Sequence, residues 1–204
     1  MTEIFGIFGL LAQKSAWSLL VGGLLWIAMQ VALIIQKNRP VVSLHQLGSL
    51  IFVFFLVITF EITGIPVISE ITQNPDINLI PFLDIFSDYK QYLANVILFV
   101  PLGFFFPLSW KENKSLLRTI LFGLSLSLTI EFLQIFTLSS ITDINDLMTN
   151  TLGTLIGYGL FRILNHFAPN FVQLFQLKTE SQSILVRQES LILAVLSLIA
   201  TMVI

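Results

Sequence analysis

The sequence contains no cysteine among its 204 residues, which excludes disulfide bonds, thiolate nucleophiles and zinc sites built on cysteine. It has only two histidines, His45 and His166, too few for a metal cluster built on histidine. Charged residues make up 11% of the chain, against about 25% in a typical soluble domain. So few charges cannot cover the surface of a soluble protein of this length, and a cytosolic enzyme is therefore excluded.

The few charges are nearly balanced, with 10 Lys and Arg residues against 12 Asp and Glu residues. No basic surplus is available to neutralise phosphates, so a nucleic-acid partner is not expected. Hydrophobic residues make up 55% of the chain, and the mean hydropathy is +0.90. We therefore predict an integral membrane protein in contact with membrane lipids. No basic residue precedes the apolar run at the N-terminus, so a cleaved signal peptide is not expected.

Long apolar runs predict about six membrane-spanning helices, because a bilayer core requires roughly 20 apolar residues per helix. The predicted spans are 15–36, 45–66, 92–110, 116–138, 144–165 and 189–204, of which the last is short. With six spans, eight of the ten basic residues share one side: Lys37, Arg39, Lys111, Lys114, Arg118, Arg162, Lys178 and Arg187. Basic residues concentrate on the cytoplasmic side, so both termini are predicted to face outward. If the last segment does not cross, the C-terminus stays inside.

The connection before the last span contains a shorter apolar pattern. Phe171, Leu174 and Phe175 recur at near-helical spacing within 167–178, which predicts an amphipathic helix on the inner membrane surface. The chain is expected to form one all-α membrane domain, 1–204, whose core lies at about 45–165.

Polar side chains inside the predicted spans need an explanation, because ionisable groups in hydrocarbon are costly. In the fourth span Ser127, Glu131 and Gln134 share one helix face, and Glu131 lies about seven residues before the predicted end. The fifth and third spans carry matching polar faces near their outer ends. The predicted site is an acidic, amide-lined cavity open to the outer leaflet and formed by Asn95, Glu131, Gln134, Asp146 and Asn150.

Structural roles compete with a site role for several of these residues. Asp143 is a good N-cap for the fifth helix, and Asp146 then lies in its first turn, where the helix dipole favours a carboxylate. Asn95, Gln134 and Asn150 can instead form hydrogen bonds between helices. No cap explains Glu131, which makes it the strongest functional candidate.

Other polar and small residues have simpler interpretations. Glu61 lies near enough to the outer interface to reach water, and His45 and His166 are predicted to anchor the inner interface. Gly153 and Gly157 form a GxxxG pair, which allows close packing of a neighbouring helix. The short loop between the fourth and fifth spans makes the fourth helix the expected neighbour.

Cofactor motifs are absent from the sequence. Residues 143–154 begin like a calcium loop, but Leu147, Met148 and Thr154 stand where ligand or glycine positions are required. There is no phosphate-binding loop and no nucleophile elbow. We predict no cofactor, and the possibility of a divalent cation at the carboxylates is left open.

Three blocks within about 78–165 resemble the VanZ-like family of membrane proteins. They are NLIPF at 78–82, NVILFVPLGFFFP at 95–107, and EFLQ at 131–134 followed by DINDLMTNTLGTLIGYG at 143–159. The family pattern usually has an arginine where this chain has Ser140. If that arginine binds an anion or pairs with the glutamate, the function of this chain is lost or altered.

The resemblance implies a bacterial inner-membrane protein that acts near the cell-envelope face, in a family with a member linked to resistance to the lipoglycopeptide teicoplanin. We predict a non-enzymatic role: binding of a lipid-linked envelope precursor or a lipoglycopeptide at the outer leaflet. One alternative is an intramembrane enzyme that acts on a lipid headgroup, with Glu131 or Asp146 as base. Another is a small proton-coupled transporter or flippase with Glu131 as its protonation site. The oligomeric state is left open.

Overall fold

A computed structural model of the chain describes residues 2–35, 43–65, 68, 77–78, 80, 89–137, 142–176 and 188–203. Within these ranges there are seven α-helices: α1 (Thr2–Ile35), α2 (Leu44–Ile62), α3 (Tyr89–Ser109), α4 (Leu116–Gln134), α5 (Ile144–Phe167), α6 (Pro169–Phe175) and α7 (Glu189–Met202). A 3₁₀ turn, Lys111–Asn113, lies between α3 and α4. Two short strands, β1 (Ile77–Asn78) and β2 (Thr142–Asp143), pair in parallel. The predicted all-α architecture is confirmed.

Four helices are long and apolar enough to cross a bilayer: α1 over Ser15–Ile35, α2, α3 and α4. α5 has 24 residues, which is sufficient length, but its first half is rich in Asn, Asp and Thr. α7 has 14 residues, so at 1.5 Å per residue it extends only about 21 Å. The chain is therefore a membrane protein with four clear candidate spans, and the predicted number of six is not confirmed.

Local sequence signals fix where the helices begin and end. Ser43 and Gln46 form a reciprocal capping box at the start of α2. Gly64, just after the end of α2, has a φ of 72°, a backbone conformation that residues with a side chain rarely adopt. The Ser115 hydroxyl accepts a hydrogen bond from the backbone of Arg118 at the start of α4. α4 ends at Gln134, four residues earlier than predicted.

The closest helix contact in the bundle joins α3 to α5. A methyl group on Gly153 would overlap the Val96 carbonyl oxygen, and one on Gly157 would overlap that of Val100. The prediction that the GxxxG pair packs against the fourth helix is therefore wrong: its neighbour is α3. The spacing of glycines shows which face of a helix is close-packed, but it does not identify the helix that lies against that face. The paired numbers rise together, so α3 and α5 run parallel.

An aromatic core fills the middle of the bundle between α2, α3 and α4. The rings of Phe106 and Phe122 stack with centroids 4.1 Å apart, and Phe52 meets the edge of Trp110. The wider apolar core, which continues to Phe60 on α2 and Ile130 on α4, separates two polar ends. We call the end where α2 and α4 finish and α3 and α5 begin the site end, and the other the opposite end.

The helix predicted within 167–178 is present as α6. Val172 and Phe175 are buried against residues of α3 and α5, whereas Phe171 and Leu174 are about half exposed. α6 therefore packs on the bundle with one face and presents apolar side chains on the other, as expected of an amphipathic segment. The last two residues of the predicted segment lie outside the described ranges.

Candidate functional site

Glu131 lies in the last turn of α4 and is 7% exposed. Its Oε2 accepts a hydrogen bond of 2.9 Å from the backbone N–H of Asp143, the residue that begins α5. The bond ties the end of one helix to the start of the next. The expectation that Glu131 lies well below the helix end is therefore wrong, because α4 ends three residues after it.

Asp146 occupies the first turn of α5, where it faces α3. Its carboxylate accepts a hydrogen bond of 3.2 Å from Nε2 of Gln91, and the amide of Asn95 lies beside it. The sequence analysis missed Gln91, although its spacing of four residues from Asn95 places both on one helix face. Asp143 caps α5 as predicted, since its Oδ1 accepts a 2.8 Å hydrogen bond from the backbone of Asn145.

Two buried amides connect helices at the same end. Nδ2 of Asn150 donates to the hydroxyl of Ser127 at 2.9 Å, which joins α5 to α4. Nε2 of Gln134 donates to the Thr63 carbonyl oxygen at 2.6 Å, which joins α4 to the end of α2. The interhelical role considered for these amides is thus present. Within the described part of the chain, the amide oxygens of both side chains are buried and accept no hydrogen bond.

The five predicted site residues all lie at the site end, and each is at least nine-tenths buried. We call them the carboxylate cluster: Asn95, Glu131, Gln134, Asp146 and Asn150. The carboxylates of Glu131 and Asp146 are close enough to interact electrostatically. Glu61 is not part of the cluster, because the hydroxyl of Ser18 on α1 donates to its carboxylate. Ser140, where the resemblance led us to expect an arginine, lies outside the described residues.

A metal centre is not evident at the cluster. Among the described residues no group of three or more His, Asp or Glu side chains is arranged to hold a metal ion. The contacts made by Glu131, Asp143 and Asp146 are instead hydrogen bonds from backbone and side-chain N–H groups. Such bonds orient the carboxylates toward nitrogen donors.

A second polar group, which the sequence analysis missed, is buried at the opposite end. Nε2 of His45 lies 2.9 Å from Oε2 of Glu189, and Nε1 of Trp110 donates to the same oxygen at 2.9 Å. Nε2 of Gln30 donates to Oε1 of Glu189 at 3.1 Å. We call these four residues the His45–Glu189 network; it joins α1, α2 and α7 to the end of α3.

The hydrogen-bond partners of His45 fix the position of one proton in this network. Nδ1 of His45 lies 2.9 Å from the Ser109 carbonyl oxygen and 3.0 Å from that of Phe175. Because carbonyl oxygens only accept, Nδ1 carries a hydrogen. His45 is 1% exposed and Glu189 is fully buried, so the prediction that His45 is an interfacial anchor is wrong.

The chain is similar to one family of known proteins. The family model described as VanZ/LLP1 matches residues 47–165, which include α3, α4, α5 and the whole carboxylate cluster. The chain is 36% identical over 89 residues to Protein VanZ of Enterococcus faecium. That alignment covers 44% of this chain and 54% of the relative, so the chain spans about half the length of the curated relative it matches. No solved structure matches the chain. The family match extends over more than half of the sequence, and the chain belongs to the VanZ/LLP1 family.

Proposed function

We propose that this protein is a non-enzymatic membrane component of the bacterial cell envelope. It binds an amphipathic ligand, a lipid-linked precursor or a lipoglycopeptide, at the carboxylate cluster from the outer leaflet. The observation that carries the proposal is the convergence of two buried carboxylates and three buried amides from three helices on one end of the bundle. Buried ionisable groups in a membrane are expensive, and they mark functional sites more often than packing.

The charge around the cluster supports a ligand that brings positive charge or strong hydrogen-bond donors. No Lys or Arg occurs in 40–89, in 91–110 or in 119–161, so the connections at the site end contain no basic residue. Lys90 stands at the start of α3, where it is exposed. The cluster therefore has little positive charge of its own, and a ligand that supplies N–H or O–H groups would complement it.

The orientation of the amides also supports a ligand that donates hydrogen bonds. Because the Thr63 carbonyl can only accept, the nitrogen of Gln134 must face it, and the buried Oε1 is left as an acceptor. Oδ1 of Asn150 is a second such acceptor. An acceptor left unpaired in a buried site costs about 1–3 kcal/mol. Amines and sugar hydroxyls, which occur on envelope precursors and lipoglycopeptides, would recover this cost.

Two features support binding over the alternatives of transport and catalysis. The apolar core around Phe99, Leu102 and Ile130 lies between the cluster and the opposite end, which does not favour transport along this side of the bundle. A catalytic base must reach a substrate proton, whereas Glu131 and Asp146 already accept hydrogen bonds from the protein. These bonds suit carboxylates that hold a ligand.

We further propose that all six apolar segments cross the bacterial inner membrane with the cluster outside. α5 presents half-exposed Leu152, Ile156 and Leu160 along its length, as a lipid-facing helix would. Lys111, Lys114 and Arg118 are gathered at the opposite end, which the positive-inside rule makes cytoplasmic. α7 is short, but the buried acid at its start, Glu189, is hydrogen-bonded within the His45–Glu189 network and is therefore not exposed to lipid.

The proposal is tested by equilibrium binding of fluorescent teicoplanin to the purified protein in lipid nanodiscs. We expect saturable binding that weakens about tenfold in Glu131→Gln and in Asp146→Asn, the effect of one charge-assisted hydrogen bond. Glu61→Gln is the matched control, since Glu61 is also an acid near the site end but pairs with α1. Teicoplanin without its acyl chain should bind more weakly to the wild type.

Two results would contradict the proposal. One is equal binding by the wild type and by both cluster variants, which would place the ligand elsewhere. The other is equal weakening by Glu61→Gln, which would indicate a general electrostatic effect.

A further inference from the structure

A cavity of about 420 Å³ lies at the opposite end of the bundle, on the side where α4 and α7 begin. It is separate from the carboxylate cluster. Its walls come from α3, the 3₁₀ turn, α4 and the first turn of α7. None of the residues that line it belongs to the carboxylate cluster or to the His45–Glu189 network.

One end of this cavity is polar and basic. Nη1 of Arg118 donates to the Glu112 carbonyl oxygen, which holds the guanidinium at the mouth. Nδ2 of Asn113 reaches the Ser190 hydroxyl at 3.4 Å and bridges the two walls. Lys111 and Lys114 lie in the same short connection, so residues 111–118 contain three basic residues and one acid, Glu112.

The part of the cavity beyond Arg118 is lined largely by the apolar residues Phe106, Leu121, Phe122 and Leu191. Arg118, Leu121, Phe122 and Ser125 are spaced as one face of α4, so the wall continues about 10 Å along the helix from the guanidinium. Phe122 is held by its stack on Phe106, which gives the groove a rigid floor. Leu121 is 49% exposed and Leu191 is 52% exposed, so the groove opens sideways between α4 and α7.

We infer that this groove binds one anionic glycerophospholipid, with its phosphate at Arg118 and an acyl chain along Leu121 and Leu191. The combination of a basic mouth and an apolar wall directly below it matches a lipid, in which the charged and apolar parts are joined in that order. Free phosphate would leave the apolar wall uncovered. A zwitterionic headgroup would gain less from the local basic surplus, because its own ammonium would meet the three bases.

The inference is tested by native mass spectrometry of the detergent-purified protein with phosphatidylglycerol and phosphatidylcholine of identical acyl chains. We expect the wild type to retain one phosphatidylglycerol in preference to phosphatidylcholine. Arg118→Gln should lower this preference about tenfold, since a charge-assisted hydrogen bond to phosphate is lost. Arg162→Gln is the matched control: Arg162 lies at the same end, and its Nη1 bonds an uncharged oxygen, the Tyr158 hydroxyl.

A second variant tests the groove itself and does not depend on charge. Leu121→Trp adds bulk on an exposed wall, so the protein should fold, and it should retain less phosphatidylglycerol. The inference is overturned if Arg118→Gln keeps the wild-type preference, if Arg162→Gln loses it equally, or if Leu121→Trp retains the lipid as the wild type does.

Discussion

Glu189 in the first turn of α7 pairs with His45 in the first turn of α2, 144 residues earlier, across 2.9 Å and with neither side chain exposed to solvent. Both oxygens of Glu189 accept additional N–H donors, from Trp110 and Gln30. A carboxyl group buried in this way is held by hydrogen bonds to several partners. Removal of one partner leaves the others unpaired in a low dielectric.

We therefore predict that Glu189→Leu destabilises the protein by about 3–5 kcal/mol, the cost of breaking a buried pair from one side. His45→Leu should cost a similar amount, and the double variant should cost clearly less than the sum, because the two residues are coupled. Unfolding in detergent measures all three. Glu112→Gln, an exposed acid at the same end, should change little. Additive losses would show that the pair is not coupled.

The glycine contact between α3 and α5 gives a second prediction. Gly157→Leu would drive a side chain into the Val100 carbonyl and should cost at least about 1–3 kcal/mol, the range for overpacking. Gly159→Leu is a control on the same helix, since space is open around that glycine. The melting temperature in detergent should fall for the first variant only. Equal melting temperatures would mean that the two helices separate without cost.

Substitutions of Glu131 distinguish a structural role of this residue from a functional one. Glutamine keeps an oxygen that can accept the Asp143 N–H, so Glu131→Gln should fold and melt like the wild type. Glu131→Leu leaves that N–H unpaired and should lose about 1–3 kcal/mol. If the carboxylate charge holds the ligand, Glu131→Gln should nevertheless fail to complement a strain that lacks the protein. Full complementation would leave the residue with its helix-joining role alone.

The absence of natural cysteine allows a direct test of orientation. In intact cells, Ile80→Cys at the site end should react with a membrane-impermeant maleimide, because Ile80 is 59% exposed and the proposed topology places it outside. Asn113→Cys at the opposite end should react only after the membrane is permeabilised. The reverse pattern would invert the topology and place the carboxylate cluster on the cytoplasmic side.

Helical periodicity was sufficient to predict that the five residues of the cluster are buried near one end of the bundle, although Gln91 was missed. Glu131, Asp146 and Asn150 recur at spacings that set each on one buried face, and apolar runs located the helices that present them. Periodicity gives a face but not a neighbour, which explains why Gly153 and Gly157 were assigned to the wrong partner helix. It also does not fix helix ends, so the hydrogen bond from the backbone of Asp143 to Glu131 was not predicted.

The His45–Glu189 network was not predictable in the same way. Its two ionisable residues lie at the ends of apolar runs, where polar side chains commonly reach the interface, and no local spacing links residues so far apart. The available signal was weak: an acid at the start of an apolar segment, and a Trp and a His at the ends of two others. Only tertiary packing brings them together.

This network also has a consequence for the order of synthesis. The ribosome makes Gln30, His45 and Trp110 before their common partner, Glu189. Until α7 is added, the N–H groups of Gln30 and Trp110 and the Nε2 atom of His45 lack the carboxyl group that they will share. A nascent chain interrupted before residue 189 would therefore leave these three buried groups without their shared partner permanently.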